Sequence, residues 1–290
     1  MPKKNKKNKK YKNLHIKNLN KYDNNDDGLI TMKEYLDKEI SKGPGEKKTD
    51  LILKYKYQAN INVYNYFMLA LKNFKKFKIL CVPNFIFKWK TKKFRTAILY
   101  IVEDKLLYFS SDMVKQIDKC RCNNKTRFIF ISFFILYYPD DKLSHANIIV
   151  IDLHKKTLEL FEPHGHSLFN EKSTEISNKT IKVLLNYLNL KNFKYLSPVY
   201  LSPKIGIQIN SDSYCGMCIT ISMMYLHMRI LNPDIDPKKI VKHFLNQSPK
   251  KVKEIILKYA KHIQKTLIKN KIIVKKFNKK FLDIANKLNN

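Results

Sequence analysis

Glycine and proline are scarce, six and ten in 290 residues, which excludes a collagen-like repeat and a Gly/Pro-rich low-complexity chain. Long apolar runs are missing too. The longest, Phe128 to Tyr138 (FIFISFFILYY), is about half of the ~20 residues that a membrane-spanning helix needs, and it reads as a buried strand. The amino-terminal MPKKNKKNKKYK carries the positive charge of a secretion signal with no apolar stretch behind it, so no signal peptide is expected. Five cysteines, an odd number without paired spacing in a long chain, do not read as a disulfide framework; a reducing, intracellular compartment is expected. Arginine is nearly absent: Arg95, Arg121, Arg127 and Arg229 are the only four among 57 basic residues. Bidentate reading of base edges is therefore not expected.

What the chain does have is apolar content and lysine. Hydrophobic residues make up 44%, too many for a chain disordered throughout, and the length suits one sizeable core with appendages. The net charge is +33. Abundant Lys, Asn and Ile are also what an AT-rich coding sequence would write, so part of that charge needs no functional cause. It is unevenly placed: residues 1–48 hold 14 Lys against 7 acids, and residues 236–290 hold 16 Lys against 3. Both ends will attract polyanions through counterion release, without sequence preference.

Residues 1–13 are a Lys/Asn tract without apolar periodicity and are expected to be a disordered basic tail. Residues 14–41 are organised differently, because Asp23 to Glu34 (DNNDDGLITMKE) fits a twelve-residue calcium loop. Asp23, Asn25 and Asp27 stand at positions 1, 3 and 5, where short oxygen side chains curl around a hard cation. Gly28 permits the sharp turn, Leu29 offers its carbonyl, Ile30 is the apolar position 8, and Glu34 closes the shell with two oxygens. Ile16, Leu19 and Tyr22 form the stripe of an entering helix, while Tyr35, Leu36 and Ile40 make a thinner exiting one. The segment resembles a single EF-hand, and calcium is the expected ion, structural or regulatory rather than catalytic. The bland reading is an acidic turn between polar helices. Residues 42–48, with Gly43-Pro44-Gly45, read as a linker.

Residues 49–245 carry the pattern of a globular α+β domain. Tyr64, Phe67, Leu71 and Phe74 have helical spacing. Ala97 to Val102, Leu106 to Phe109, Arg127 to Tyr138, Ala146 to Asp152 and Thr157 to Phe161 read as strands, and Ser111 to Lys119 as a helix. From Gly216 to about Ile230 (GMCITISMMYLHMRI) the chain is apolar nearly all round, the mark of a central buried helix. Cys215 stands at its start, where unsatisfied N–H groups and the helix dipole favour a thiolate. His145 opens one strand and Glu162 follows the next, so a base and an orienting acid can meet that thiol.

The order His145, Glu162, Gln208, Cys215, the 17 positions from His to Glu, the 7 from Gln to Cys, and Phe161-Glu162-Pro163-His164-Gly165 resemble the adenovirus protease (adenain) branch of the clan that includes the SUMO-specific proteases. The resemblance covers about residues 125–230. It implies Cys215 as nucleophile, His145 as general base and then acid, Glu162 as orienting acid, and Gln208 with the Cys215 backbone N–H as oxyanion hole. It also implies a central mixed sheet with a buried helix carrying the nucleophile, and cleavage of peptide or isopeptide bonds after small residues such as glycine. The protein substrate would be a viral precursor or a ubiquitin-like conjugate, met in the host cytoplasm or a viral factory, with packaging into the virion as an extension. Many members have Trp directly after the His; here it is Ala146.

Bland and rival readings accompany each residue. Cys215 and Cys218 match a C-x-x-C redox pair, and Cys120 with Cys122 could join them around zinc, though neither spacing has the surrounding pattern such sites need. Asp152 is a rival orienting acid, better explained as a turn residue. His164 and His166 flank the acid as loop or pocket residues. Residues 246–290 form a basic amphipathic helical segment beginning at Ser248-Pro249, with Val252, Ile255, Tyr259, Ile263 and Leu267 on one face. Packing on the domain competes there with contact to a polyanion or a membrane surface. The function class opposed to a cysteine protease is a non-catalytic structural protein binding calcium and nucleic acid on a decayed protease fold.

Overall fold

The computed structural model describes residues 68–69, 71–72, 77–102, 104–136, 144–166, 171–211 and 218–269. The basic tail 1–13, the calcium loop from Asp23 to Glu34 with its flanking helices, the linker 42–48, Cys215 and residues 270–290 lie outside the described residues. So does most of the helix expected over 60–76, of which Met68 and Leu71 are described and buried.

The chain is α+β, built on one mixed sheet. Strand β6 (Phe128–Leu136) is its centre. All nine residues are buried, because strands flank it on both edges and helices cover both faces; hence the sequence shows a continuous apolar run instead of alternation. On one edge β4 (Ala97–Ile101) runs parallel to it and β5 (Leu106–Tyr108) continues antiparallel. On the other edge β7 (Ser144–Asp152), β8 (Thr157–Phe161) and β9 (Lys194–Leu196) follow, antiparallel, antiparallel and parallel. Strand β1 (Leu80–Cys81) pairs with the beginning of β6. A separate hairpin, β2 (Ile86–Trp89) and β3 (Lys92–Arg95), is held by Phe87 stacked on Phe94 at 5.1 Å.

Two helices, α1 (Met113–Arg121) and α2 (Glu171–Tyr187), cover one face, where Ile117, Ile181 and Leu184 meet Ile129, Ile131, Ile149 and Leu160. After the short helices α3 (Pro198–Leu201) and α4 (Ile207–Asn210), α5 (Cys218–Leu231) crosses the other face. It is buried over nearly its whole circumference between the sheet and the helices α6 (Pro237–Leu245) and α7 (Pro249–Lys269). The apolar face of α7 is spent on this packing: Val252, Ile255, Tyr259 and Ile263 are buried, and the Tyr259 hydroxyl donates to the Met223 carbonyl at 3.0 Å. That stretch is closed to a membrane surface, while Lys250, Lys251 and Lys258 stay exposed. Among the described residues no helix is long and apolar enough to cross a membrane.

A buried ion cluster crosses the sheet under α5. Arg229, fully buried, grips both oxygens of Glu159 from Nη2 at 2.9 Å and Nε at 3.0 Å, and the Tyr225 hydroxyl donates to Glu159 at 2.6 Å. Asp152 completes it, 3.5 Å from Arg229 and 3.5 Å from Arg127, while its Oδ1 caps the β7–β8 turn by accepting from the His154 and Lys155 backbone N–H groups at 3.0 and 3.1 Å. Losing one partner of such a buried pair costs about 3–5 kcal/mol, because the other charge is stranded.

The cysteine expectation needs correction. Cys81 and Cys120 form a disulfide with Cα atoms 5.8 Å apart. They stand 39 residues apart in the chain, but β1 beside β6 and α1 on the same face bring them into one cluster, at a separation that suits the bond. Sequence spacing carries no trace of this. The zinc reading that enlisted Cys120 falls with it.

Candidate active site

Strand register assembles the centre. Ile148 pairs with Phe161 at the end of β8, and the turn that follows, closed by the Gly165 N–H on the Glu162 carbonyl at 3.2 Å, brings Glu162 and His164 to His145 near the start of β7. His145 Nε2 lies 2.6 Å from Glu162 Oε1, both side chains are buried, and the His145 and His164 rings stack at 4.1 Å with 16° between planes. An ionised carboxylate only accepts, so the Nε2 atom of His145 carries the proton and Nδ1 faces the thiol side.

Glu162 is itself tethered. Its Oε1 also accepts from the His164 backbone N–H at 2.9 Å, and its carbonyl accepts from Ser202 Oγ at 3.3 Å and from the Gly165 N–H at 3.2 Å. The loop behind it is welded to the segment that carries Gln208. The Gly206 N–H donates to the His164 carbonyl at 2.8 Å, and the Gln208 N–H donates to the Pro163 carbonyl at 2.9 Å. Gly165 adopts φ +84°, and a Cβ on Gly206 would stand 2.3 Å from the Gly165 nitrogen. Two glycines are thus required where backbone passes backbone. Gln208 is buried on α4, next to the acid in space though 46 positions away in sequence.

The thiol that meets this pair among the described residues is Cys218, the first residue of α5, whose side chain hydrogen-bonds to His145. It packs with Ala146, Phe134 and Trp89 in one cluster. The sequence singled out Cys215, three positions earlier and outside the described residues; Cys218 entered only as a redox partner. The signal was present, since Cys215 immediately precedes the apolar stretch and Cys218 is its third residue, but the motif fixes one position and the hydrogen bond another. Asp152, the rival acid, is at the far end of β7, roughly 23 Å away at the usual rise per residue.

Electrostatics favour a charged imidazole. Burial alone would depress the His145 pKa, but the adjoining Glu162 charge and the bonds to Cys218 and Glu162 push it up to about 10. His164 goes the other way, down to about 4, through burial and the charge on His145, with Glu162 opposing. A buried imidazole oriented by a carboxylate and facing a thiol can take up the thiol proton and return it to a leaving group.

No protein-family model matches the chain. Over 162 residues, 49% of the chain, it is 28% identical to a protein of Acanthamoeba polyphaga mimivirus described as an ankyrin repeat protein, and that match spans 21% of the relative's length. Similar solved structures include the SUMO protease Ulp1 with its catalytic cysteine oxidised to a sulfenic acid. It is 15% identical, with 89% of this chain and 97% of that one covered, at a TM-score of 0.35. The carboxy-terminal Ulp1 protease domain in complex with Smt3, the yeast ortholog of SUMO, gives the same identity and score. A score at that level carries no weight for the site, whose chemistry rests on its own geometry.

Proposed function

We propose that this chain is a thiol hydrolase that cleaves peptide or isopeptide bonds. The observation that carries the reading is the buried His145 held between Glu162 and a thiol at the head of α5. The imidazole takes the thiol proton, and the thiolate attacks the substrate carbonyl. Gln208 and the backbone N–H of the nucleophile would hold the developing oxyanion. His145 then protonates the leaving amine, and water releases the acyl group. The family resemblance of the motif supports cleavage after small residues, glycine foremost, in viral precursor proteins or ubiquitin-like conjugates. It makes Cys215 the nucleophile. The hydrogen bond to His145 favours a second reading, in which Cys218 is the nucleophile. An intact set of base, acid and thiols supports catalysis over a decayed, purely binding scaffold.

A glycine-ending peptide vinyl sulfone, followed by peptide mapping, tests this. One adduct is expected, on Cys215, with exposed Cys122 left unlabelled. Labelling that Cys215→Ala leaves intact and Cys218→Ala removes transfers the role to Cys218. Labelling spread equally over all free thiols, or none on either, defeats the hydrolase reading.

A further inference from the structure

His164 does nothing in the reaction above, yet it brings a second imidazole to the centre. It occupies the third position after Phe161 in the Phe-Glu-Pro-His-Gly turn and stacks on His145. One ligand atom from each of His145, Glu162 and His164 lies within 4.8 Å of the others. Glu162 Oε1 is 2.6 Å from His145 Nε2 and 4.0 Å from His164 Nδ1. Two imidazole nitrogens and one carboxylate oxygen are the donors of a three-ligand zinc centre, and they suit zinc far better than calcium or magnesium, which favour oxygen shells. Tetrahedral coordination at about 2.0–2.2 Å sets donor atoms roughly 3.3 Å apart. The Glu162–His145 separation must therefore open and the Glu162–His164 one close, each by under roughly 1 Å on that spacing, and the stacked imidazoles must turn so that their ring nitrogens, which lie within 4.8 Å, converge on one ion. The His164 side chain, 25% exposed against 5% and 3% for its neighbours, gives the ion its way in. The Cys218 thiol on the other side of His145 is close enough to His145 to be affected when that ring changes partners.

We propose that His145, Glu162 and His164 form a zinc-binding site whose occupancy removes the His145–Glu162 pair from service and so switches the hydrolase off reversibly. The ion takes the place of the proton between Nε2 and Oε1, which leaves to solvent. Metal binding needs only the three side chains; the switching rests on the hydrolase reading.

The full chain, saturated with calcium to occupy oxygen-rich sites, is titrated with Zn²⁺ by calorimetry in buffers of different ionisation heat, and its rate of hydrolysis is followed in parallel. One zinc per chain is expected, with release of a proton and loss of rate at matching concentrations, both reversed by a chelator. His164→Phe, which keeps an aromatic ring on His145, removes a direct ligand and should weaken zinc by more than the roughly 10- to 100-fold that loss of an outer-shell partner costs, and His164→Gln serves if the Phe variant does not fold. No stoichiometric binding, equal affinity in the variants, or zinc bound without change of rate overturns the proposal. Zinc held with His164 dependence by a chain that hydrolyses nothing would uphold the site while defeating the hydrolase reading, so the two failures separate.

Discussion

Glu162 has two duties at one oxygen, fixing the His145 tautomer and anchoring the turn that follows β8. Glu162→Gln keeps the size and loses the charge. Turnover is expected to fall on the order of 10²- to 10⁴-fold, while Asp152→Asn, in the ion cluster at the other end of β7, should spare the rate and cost stability. The pH dependence has a definite sign. Because the folded His145 pKa is raised to about 10, its stabilisation is fully present below the ordinary value of about 6.5 and is lost as pH rises through about 10. Denaturant midpoints between those limits should fall more in the wild type than in Glu162→Gln. An equal fall would mean that Glu162 is not what holds the proton. His164, with its lowered pKa, contributes in the opposite sense, losing stabilisation as pH falls below about 6.5.

At the scale of elements, the site depends on two loops that share backbone hydrogen bonds. Gly206→Ala puts a methyl group 2.3 Å from the Gly165 nitrogen and 2.5 Å from the Pro163 carbonyl oxygen, atoms that cannot rotate away. It should cost about 1–3 kcal/mol in denaturant unfolding, with a turnover loss larger than the stability loss explains, because Gln208 and Glu162 are displaced together; unchanged kinetics would contradict the weld. The strands from Phe128 to Phe161 were legible because burial on both faces writes unbroken apolar runs, and the helix from Cys218 because it is apolar all round. The β2–β3 hairpin was not: its turn is Lys90-Thr91, with Lys90 at φ +50°, a position where sequence reasoning looks for Gly or Asn. Arg229 was equally hidden, since nothing local tells that one arginine in an apolar helix will find Glu159, 70 positions away. His145, Glu162 and Gln208 could be named from order and spacing. The sequence named Cys215 as the thiol, which lies outside the described residues, whereas the thiol bonded to His145 is Cys218, and the ring stack of His164 depends on the turn after β8.

The whole molecule joins a conventional apolar core to strongly basic ends. Exposed lysines on α6 and α7, including Lys238, Lys239, Lys250 and Lys251, extend the carboxy-terminal positive charge onto the folded domain. The segment from Asp23 to Glu34 concentrates acidic residues within a basic end of the sequence, and we propose that it binds calcium without entering the reaction. Calorimetry on the full chain should give a dissociation constant on the order of 10⁻⁵ to 10⁻³ M, abolished by Glu34→Gln, with hydrolysis retained in that variant. No heat at millimolar calcium would reduce the loop to an acidic turn.

The central claim is that His145 activates a thiol at the head of α5, and it can be measured without knowing the substrate. Iodoacetamide alkylation at pH 6, resolved by mass spectrometry for each cysteine, compares the site thiol with Cys122, an exposed thiol in the same chain. One of Cys215 and Cys218 should react faster than Cys122, and His145→Ala should erase the advantage in a chain that remains folded. Site thiols that react no faster than Cys122, or that are indifferent to His145, would contradict the account.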